Sequence, residues 1–575
     1  MVLIILSWIY ILFTTINLGF VLDRILVLKN KDFVITSFLG LFSVTVLASI
    51  WAIFGRINVE FHIFLLLSNL VVALKFKNEI ADIYKNFYLE LRNIGKFLKY
   101  YLAIICILIV AQCSTAPYVI DNETYYIQTI KWLNEYGFVK GLVNLHLFLG
   151  QTSGWHITQS VFSFSFLYGN FNDLSGYCLL LGMICSIIKL NSYYAEKKNF
   201  NFLLIGAFPF ASIFYFQFIS APSPDMPVYV LTFLIFFLFL ENCKNCSSEK
   251  FIIITTLVLY LLYIKYSTLP YILIPILLLA LNFKILFSNF AKVFIIAATV
   301  LGLFTTKNYI LTGYPLFPIN IFNIDLPDYA FPLEIQKYYF DKLQNYGYSI
   351  YKVPIDSFSR FELLEHWINL PKLKGLMNKL IVVLTLIVPV FIYKFQNKTV
   401  YWLLYFLMIA QLILLFAISP QYRFFMNFII FFGTFCFIAI VKSKKNIQLV
   451  LATSLIPIVI LLFVPINLGR LSANKAMIKT NTISLVNIFV PSKNSNSTSN
   501  YKVIQLGNLR YNSPLKKSVI WATGDVDLPS VSIRHVKLHR RKFKVIPQMR
   551  TGDLKGGFYS KRVEDENYLN FNNFR

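Results

Sequence analysis

Apolar stretches long enough to cross a hydrocarbon layer of roughly 30 Å recur from one end of this chain to the other. Runs near 1–22, 33–54, 58–75, 97–113, 172–189, 200–219, 226–241, 250–266, 269–286, 291–306, 376–394, 399–418, 423–441 and 449–466 predict fourteen membrane helices. The run 1–22 has no basic flank and no small-residue cleavage site, so it reads as a first anchor rather than a cleaved signal. A further apolar run, 157–168, has only twelve residues before Gly169 to Asp173 breaks it. That length suits a re-entrant or interfacial helix. Beyond 501 apolar and polar residues alternate between turn signals at Leu506 to Asn508, Asn512 to Pro514 and Thr551 to Asp553. This predicts a small β-rich domain, with 490–500 as a linker before it.

The expected fold is an all-α polytopic membrane protein of about 12–14 transmembrane helices with a small β-rich C-terminal domain. Residues 1–96 form extra N-terminal helices, 97–469 the core with polar loops 114–171 and 307–375, and 470–575 the tail. Composition agrees: 57% hydrophobic against 14% charged is far from soluble domains.

Charge then orients the bundle. Twenty basic residues sit in alternate loops, among them Arg24, Lys29, Lys31, Lys85, Arg92, Lys197, Lys198, Lys250, Lys398 and Lys444. The short intervening loops hold five: Arg56, Lys131, Lys140, Lys265 and Arg423. By the positive-inside rule the first set is cytoplasmic, which puts loops 114–171 and 307–375 and the tail outside. Half of the net charge of +26 lies in 470–575, with 19 basic and 6 acidic residues. On the outer side that charge excludes nucleic acid and suits anionic lipid head groups or an anionic polymer. Cys243 and Cys246 have no second pair and read as reduced thiols rather than a zinc site.

Charge is expensive in a chain solvated mostly by lipid, so the polar residues at outer helix ends are the candidates for chemistry. Asp121 and Glu123 follow the fourth run, Asp225 opens the seventh, Lys265 lies in a tight hairpin, Lys307 ends the tenth and Arg423 opens the thirteenth. Such a set can hold an anionic head group and deprotonate something beside it. Each has a plainer reading. Asp121 and Asp225 can cap the helices they precede, with Tyr126, Ile130 and Leu133 as the stripe of an amphipathic surface helix. Lys265 and Arg423 can snorkel to the interface. His146 and His156 are isolated in an aromatic loop and read as packing residues.

The order of these pieces resembles the GT-C superfamily of polytopic glycosyltransferases, in its protein mannosyltransferase and aminoarabinose transferase branch. The matching features are Asp121, Glu123 and Tyr125 after a span, Trp155 and His156 in the outer loop, and Asp225 before a span. Lys265 in a hairpin and Asn308, Gly313, Pro315 and Pro318 after the tenth run complete them. Asn122 separates the two acids that are adjacent in that branch. The chain is also similar to bacterial membrane proteins of unassigned activity that share the Asp121 to Tyr126 loop and the tail sequence Trp521 to Asp525.

The resemblance implies transfer of a sugar from a polyprenyl-phosphate donor to a glycan, lipid or protein acceptor at the outer face of a bacterial cytoplasmic membrane. Asp121 is then the base and Glu123 its partner. Lys265, Arg423 and Lys307 hold the lipid phosphate, and Asp225, Tyr125 and His156 bind sugar or acceptor. No cofactor is required; a divalent metal stays open, with Glu123 and Asp225 as the carboxylates to hold it. Asp525 and Asp527 mimic a nucleotide-sugar motif, but about a hundred residues are too few for such a domain. A cell-surface glycan polymerase or ligase is the nearest alternative, a lipid or polysaccharide transporter or flippase a more distant one, and an inactive scaffold the last.

Overall fold

A computed structural model of the chain describes residues 1–195, 199–319, 325–351, 353, 355–472, 479–496, 500–515 and 519–563. Among these, ten helices are long and apolar enough to cross a membrane. They are Val2–Leu26, Phe33–Phe54, Lys96–Cys113, Leu174–Ala195, Asp225–Asn242, Phe283–Thr312, Lys372–Phe395, Thr399–Ile418, Tyr422–Ile440 and Lys444–Phe463. The count rises to eleven if Val59–Lys75, bent by 88° into Lys77–Arg92, is one span. By length and composition this falls short of the expected 12–14. Pro209 and Pro270 explain two of the losses: each sits in a 3₁₀ stretch that leaves only the short apolar helices Phe200–Phe216 and Tyr266–Leu281. Ser248–Ile264 is also short, at 17 residues.

Close backbone approach sets the first pair of spans. A Cβ on Gly19 would lie 2.0 Å from the Thr36 carbonyl oxygen, and one on Gly40 would lie 1.8 Å from that of Thr15. The two helices cross where both lack a side chain. After them Lys77–Arg92 is amphipathic, burying Ile80 and Ile83.

The ends of the helices that carry the candidate residues meet at one end of the bundle, under a layer built from three segments. One is the loop after Cys113, with the helices Ile127–Glu135 and Gly154–Val161. Neither is a surface helix. Every residue of Gly154–Val161 is buried, and Ile127–Glu135 buries polar Gln128, Thr129 and Asn134 along with its apolar stripe. The second segment includes Leu333–Tyr348 and Arg360–Ile368.

The third is the tail. Strands β1 (Tyr501–Leu506) and β2 (Leu509–Pro514) form an antiparallel hairpin, as the alternating pattern predicts, with Leu506 opposite Leu509. Gly507 turns it at φ 60°, in the left-handed region. Strands β3 (Val545–Met549) and β4 (Phe558–Arg562) form a second pair, and the basic helix Ile533–Phe543 lies between the hairpins in sequence.

The tail is fixed to the other two segments. The Phe558 N–H donates to the Lys140 carbonyl at 2.9 Å, and the Ser560 hydroxyl to Asn144 at 2.7 Å. Arg550 makes a two-pronged contact with Asp328 at 2.9 and 3.0 Å. The part of 490–500 that is described is no linker either. Ser492 N–H donates to the Ser114 carbonyl at 2.8 Å, and Asn494 and Asn496 bond to the same loop. The expected cytoplasmic Lys197 and Lys198 lie outside the described residues.

Candidate active site

The sequence Asp121 to Tyr126 does not enter its helix in regular α form. Asn122–Tyr126 is a π-helical turn leading into Ile127–Glu135. Such turns recur at functional sites because they re-aim side chains. Residues two apart on a helix point to nearly opposite sides, at about 200° in α geometry, and the π turn does not bring them together. Asp121 and Glu123 accordingly part company.

Asp121 makes no helix cap. Its carboxylate accepts a hydrogen bond from the Arg423 guanidinium, at the first turn of Tyr422–Ile440. The same Arg423 nitrogen lies 3.7 Å from Asp225. Asp225 opens the helix Asp225–Asn242 and likewise makes no cap; its other oxygen takes the Lys265 ammonium. Four charges thus form one chain, Asp121–Arg423–Asp225–Lys265, drawn from four widely separated parts of the sequence. The ring of Phe424 sits under both cations, 4.0 Å from Lys265 and 5.1 Å from Arg423. Neither capping nor snorkelling explains these four residues. Each is turned inward and paired.

All four line a cavity of about 340 Å³. Lys307 lines it as well; it is 4% exposed, donates to the Thr152 carbonyl and lies 5.6 Å from the Tyr263 ring centre. Lys374, which the sequence reading missed, is another lining residue and donates to the Ser349 hydroxyl at 2.9 Å. Its position at the end of the polar loop 307–375, two residues before the run 376–394, was the available signal. The charged lining is therefore Lys265, Lys307, Lys374 and Arg423 against Asp121 and Asp225, an excess of two positive charges. Apolar helix-end side chains, including Leu262, Phe304, Leu415 and Ile418, form another part of the wall. A third part is aromatic: Tyr125, Phe148, Tyr346 and, from the tail, Trp521. Burial pushes the Tyr125 and Tyr126 hydroxyls well above the usual phenol range, so both are hydrogen-bond donors at neutral pH.

Two expected site residues are elsewhere. Glu123 does not line the cavity; it accepts hydrogen bonds from the Ser495 hydroxyl at 3.0 Å and the Asn496 N–H at 2.9 Å. It therefore shares no metal site with Asp225. Among the described residues no group of three or more His, Cys, Asp or Glu is arranged to hold a metal ion. His156 is fully buried behind the cavity, its Nδ1 accepting the Ser153 N–H at 3.3 Å and its ring 4.8 Å from that of Tyr126. Burial first, then the neighbouring Lys307 ammonium, push its pKa down to about 3. It is a neutral support for the two tyrosines and does not line the cavity.

A family model for a domain of unknown function, DUF8201, matches residues 1–430. The chain belongs to that family. No curated protein and no solved structure matches it. The DUF8201 match contains all six charged residues of the cavity and ends before the tail that supplies Trp521.

Proposed function

We propose that this DUF8201 protein is a membrane glycosyltransferase that moves a sugar from a polyprenyl-phosphate donor to a cell-envelope acceptor. One observation carries the reading: a paired chain of two carboxylates and two cations shares its cavity with two further lysines and an apolar wall at the membrane-helix ends. Excess positive charge suits a phosphate at head-group depth, and the apolar wall suits the first isoprene units beneath it.

The chemistry follows from those parts. The acceptor oxygen forms a bond to the anomeric carbon as the bond from that carbon to the phosphate oxygen breaks. The electron pair leaves on the phosphate, and the acceptor proton goes to a carboxylate. Asp121 takes that proton. At rest its charge is held by Arg423; a bound phosphate competes for the guanidinium and leaves the Asp121 oxygens open to the acceptor. Lys265, Lys307, Lys374 and Arg423 meet the charge that grows on the leaving phosphate, which lowers the barrier more than it tightens ground-state binding.

The test is release of labelled sugar from polyprenyl-phosphate hexose and aminopentose donors by the purified full chain in lipid nanodiscs. Wild-type release is expected with at least one donor. No release from any donor, together with no binding of polyprenyl phosphate itself, would overturn the proposal.

A further inference from the structure

Glu123 is left without a part in that chemistry, yet its contacts are specific. Its carboxylate holds Ser495 and Asn496, and its backbone carbonyl accepts the N–H groups of Thr523 at 3.0 Å and Gly524 at 2.8 Å. One turn on, the Gln128 amide donates to the carbonyls of Gly524 at 3.0 Å and Val526 at 2.7 Å. Lys131, a turn further, pairs with Asp525 at 2.7 Å. The three residues follow one another along the π turn and the helix after it, and together they bind two stretches of the tail, 495–496 and 523–526.

What they hold in place is Trp521. Its carbonyl accepts from His146 Nε2 at 2.8 Å, its ring packs edge-on against Phe148, and its indole N–H donates to the Tyr346 hydroxyl at 3.0 Å. Tyr346 keeps its own proton for a ligand, since it accepts from Trp521. Trp521, Tyr346, Tyr125 and Phe148 all line the cavity. Flat apolar faces with N–H and O–H groups at their edges match a sugar ring, which has an apolar C–H face and a hydroxyl rim.

We propose that Glu123 is a positioning residue that latches the tail, and that the latched Trp521 is the sugar-facing wall of the site. The second half rests on the glycosyltransferase reading; the latch does not. The charged lining lies between Asp121 and Arg423 and Trp521 comes from the tail, so a tail that lifts opens the site without touching the charged residues.

The latch is tested by a cysteine at Ala522, which is 5% exposed in the docked tail. In the full chain, a soluble maleimide should react slowly at Ala522→Cys and fully at the exposed control Gly552→Cys. Adding Glu123→Ala or, separately, Gln128→Ala should speed the first reaction about tenfold, because each removes at least two hydrogen bonds that close the tail. Glu123→Gln keeps one of two accepting oxygens and should fall between. Equal rates in the native, Glu123→Ala and Gln128→Ala backgrounds would overturn the latch.

The wall is tested by Trp521→Ala in the sugar-release assay: KM for the donor should rise about tenfold with kcat within about threefold. An unchanged KM would overturn the wall. If wild type releases no sugar, the function fails while the maleimide rates still decide the latch.

Discussion

Arg423 satisfies Asp121 directly and faces Asp225 at 3.7 Å, so the two acids depend on it unequally. Asp121→Asn leaves Arg423 with Asp225 and keeps an oxygen for the guanidinium. Stability should fall by about 1–3 kcal/mol, the worth of a charged hydrogen bond, while transfer falls by about 10²–10⁴-fold. Asp225 is 2% exposed, and removing its charge strands a part-buried Lys265 and leaves its own buried site with a mismatched amide. Asp225→Asn should therefore cost about 3–5 kcal/mol, seen as a large loss of thermal stability before activity is measured. Unfolding curves of both variants beside the release assay separate the two roles; equal destabilisation would remove the distinction. The sequence exposed these residues because charge at a membrane-helix end is scarce, and the scarcity itself marked Asp121, Asp225, Lys265, Lys307 and Arg423. It did not expose the direction of Glu123, since that depends on a helical turn and on tail residues nearly four hundred positions away.

At the scale of elements, packing makes predictions that owe nothing to function. Gly19 and Gly40 each face a backbone carbonyl that cannot move aside, whereas Gly302 and Gly433 face open space. Gly40→Ala should destabilise by about 1–3 kcal/mol through overpacking. Gly302→Ala and Gly433→Ala should be neutral or gain up to about 1 kcal/mol from helix propensity. Thermal unfolding of the three variants checks this.

The tail helix Ile533–Phe543 has a different sensitivity. Its His535 and His539 are buried, Nε2 to Nε2 at 3.1 Å, with the His146 ring 5.0 Å from His535. Burial pushes His146 down to about 4 and His539 to about 3, and His535 well below its ordinary 6.5. The docked tail then holds fewer protons than the undocked chain between these values and 6.5. The stabilisation is complete above about pH 6.5 and is lost as pH falls toward 4. Measured at each pH relative to the exposed control Gly552→Cys, which removes the fall in thiolate fraction, maleimide reaction at Ala522→Cys should rise over that window, and His539→Asn should make the rise shallower. A flat profile would show that the histidines do not couple to docking.

For the whole molecule, most of the architecture was legible. Long apolar runs specify helices because lipid leaves the backbone no other partner, and ten of the fourteen expected spans are long enough. Of the four runs that fell short, one is bent, one is an unbroken helix of 17 residues, and two are broken at a proline, a feature that hydropathy averages away. What no local pattern could give was the layer over the site, where three distant segments bury polar faces against one another. Its side of the membrane rests on charge alone, and that yields the last prediction. Glu135 and Gly552 are exposed on this layer, and Lys445 is exposed in the first turn of Lys444–Phe463, in the basic cluster that opens that helix. Given the basic residues of the alternate loops, Glu135→Cys and Gly552→Cys should react with an impermeant maleimide on intact cells, after outer-envelope permeabilisation where the host has one. Lys445→Cys should react only after lysis. Because Glu135 lies in the layer that closes the cavity and Gly552 in the tail fixed to it, the two must report the same side. Labelling of Lys445→Cys alone would turn the cavity toward the cytoplasm and remove the cell-envelope acceptor, and split labelling of Glu135→Cys and Gly552→Cys would contradict the docked tail.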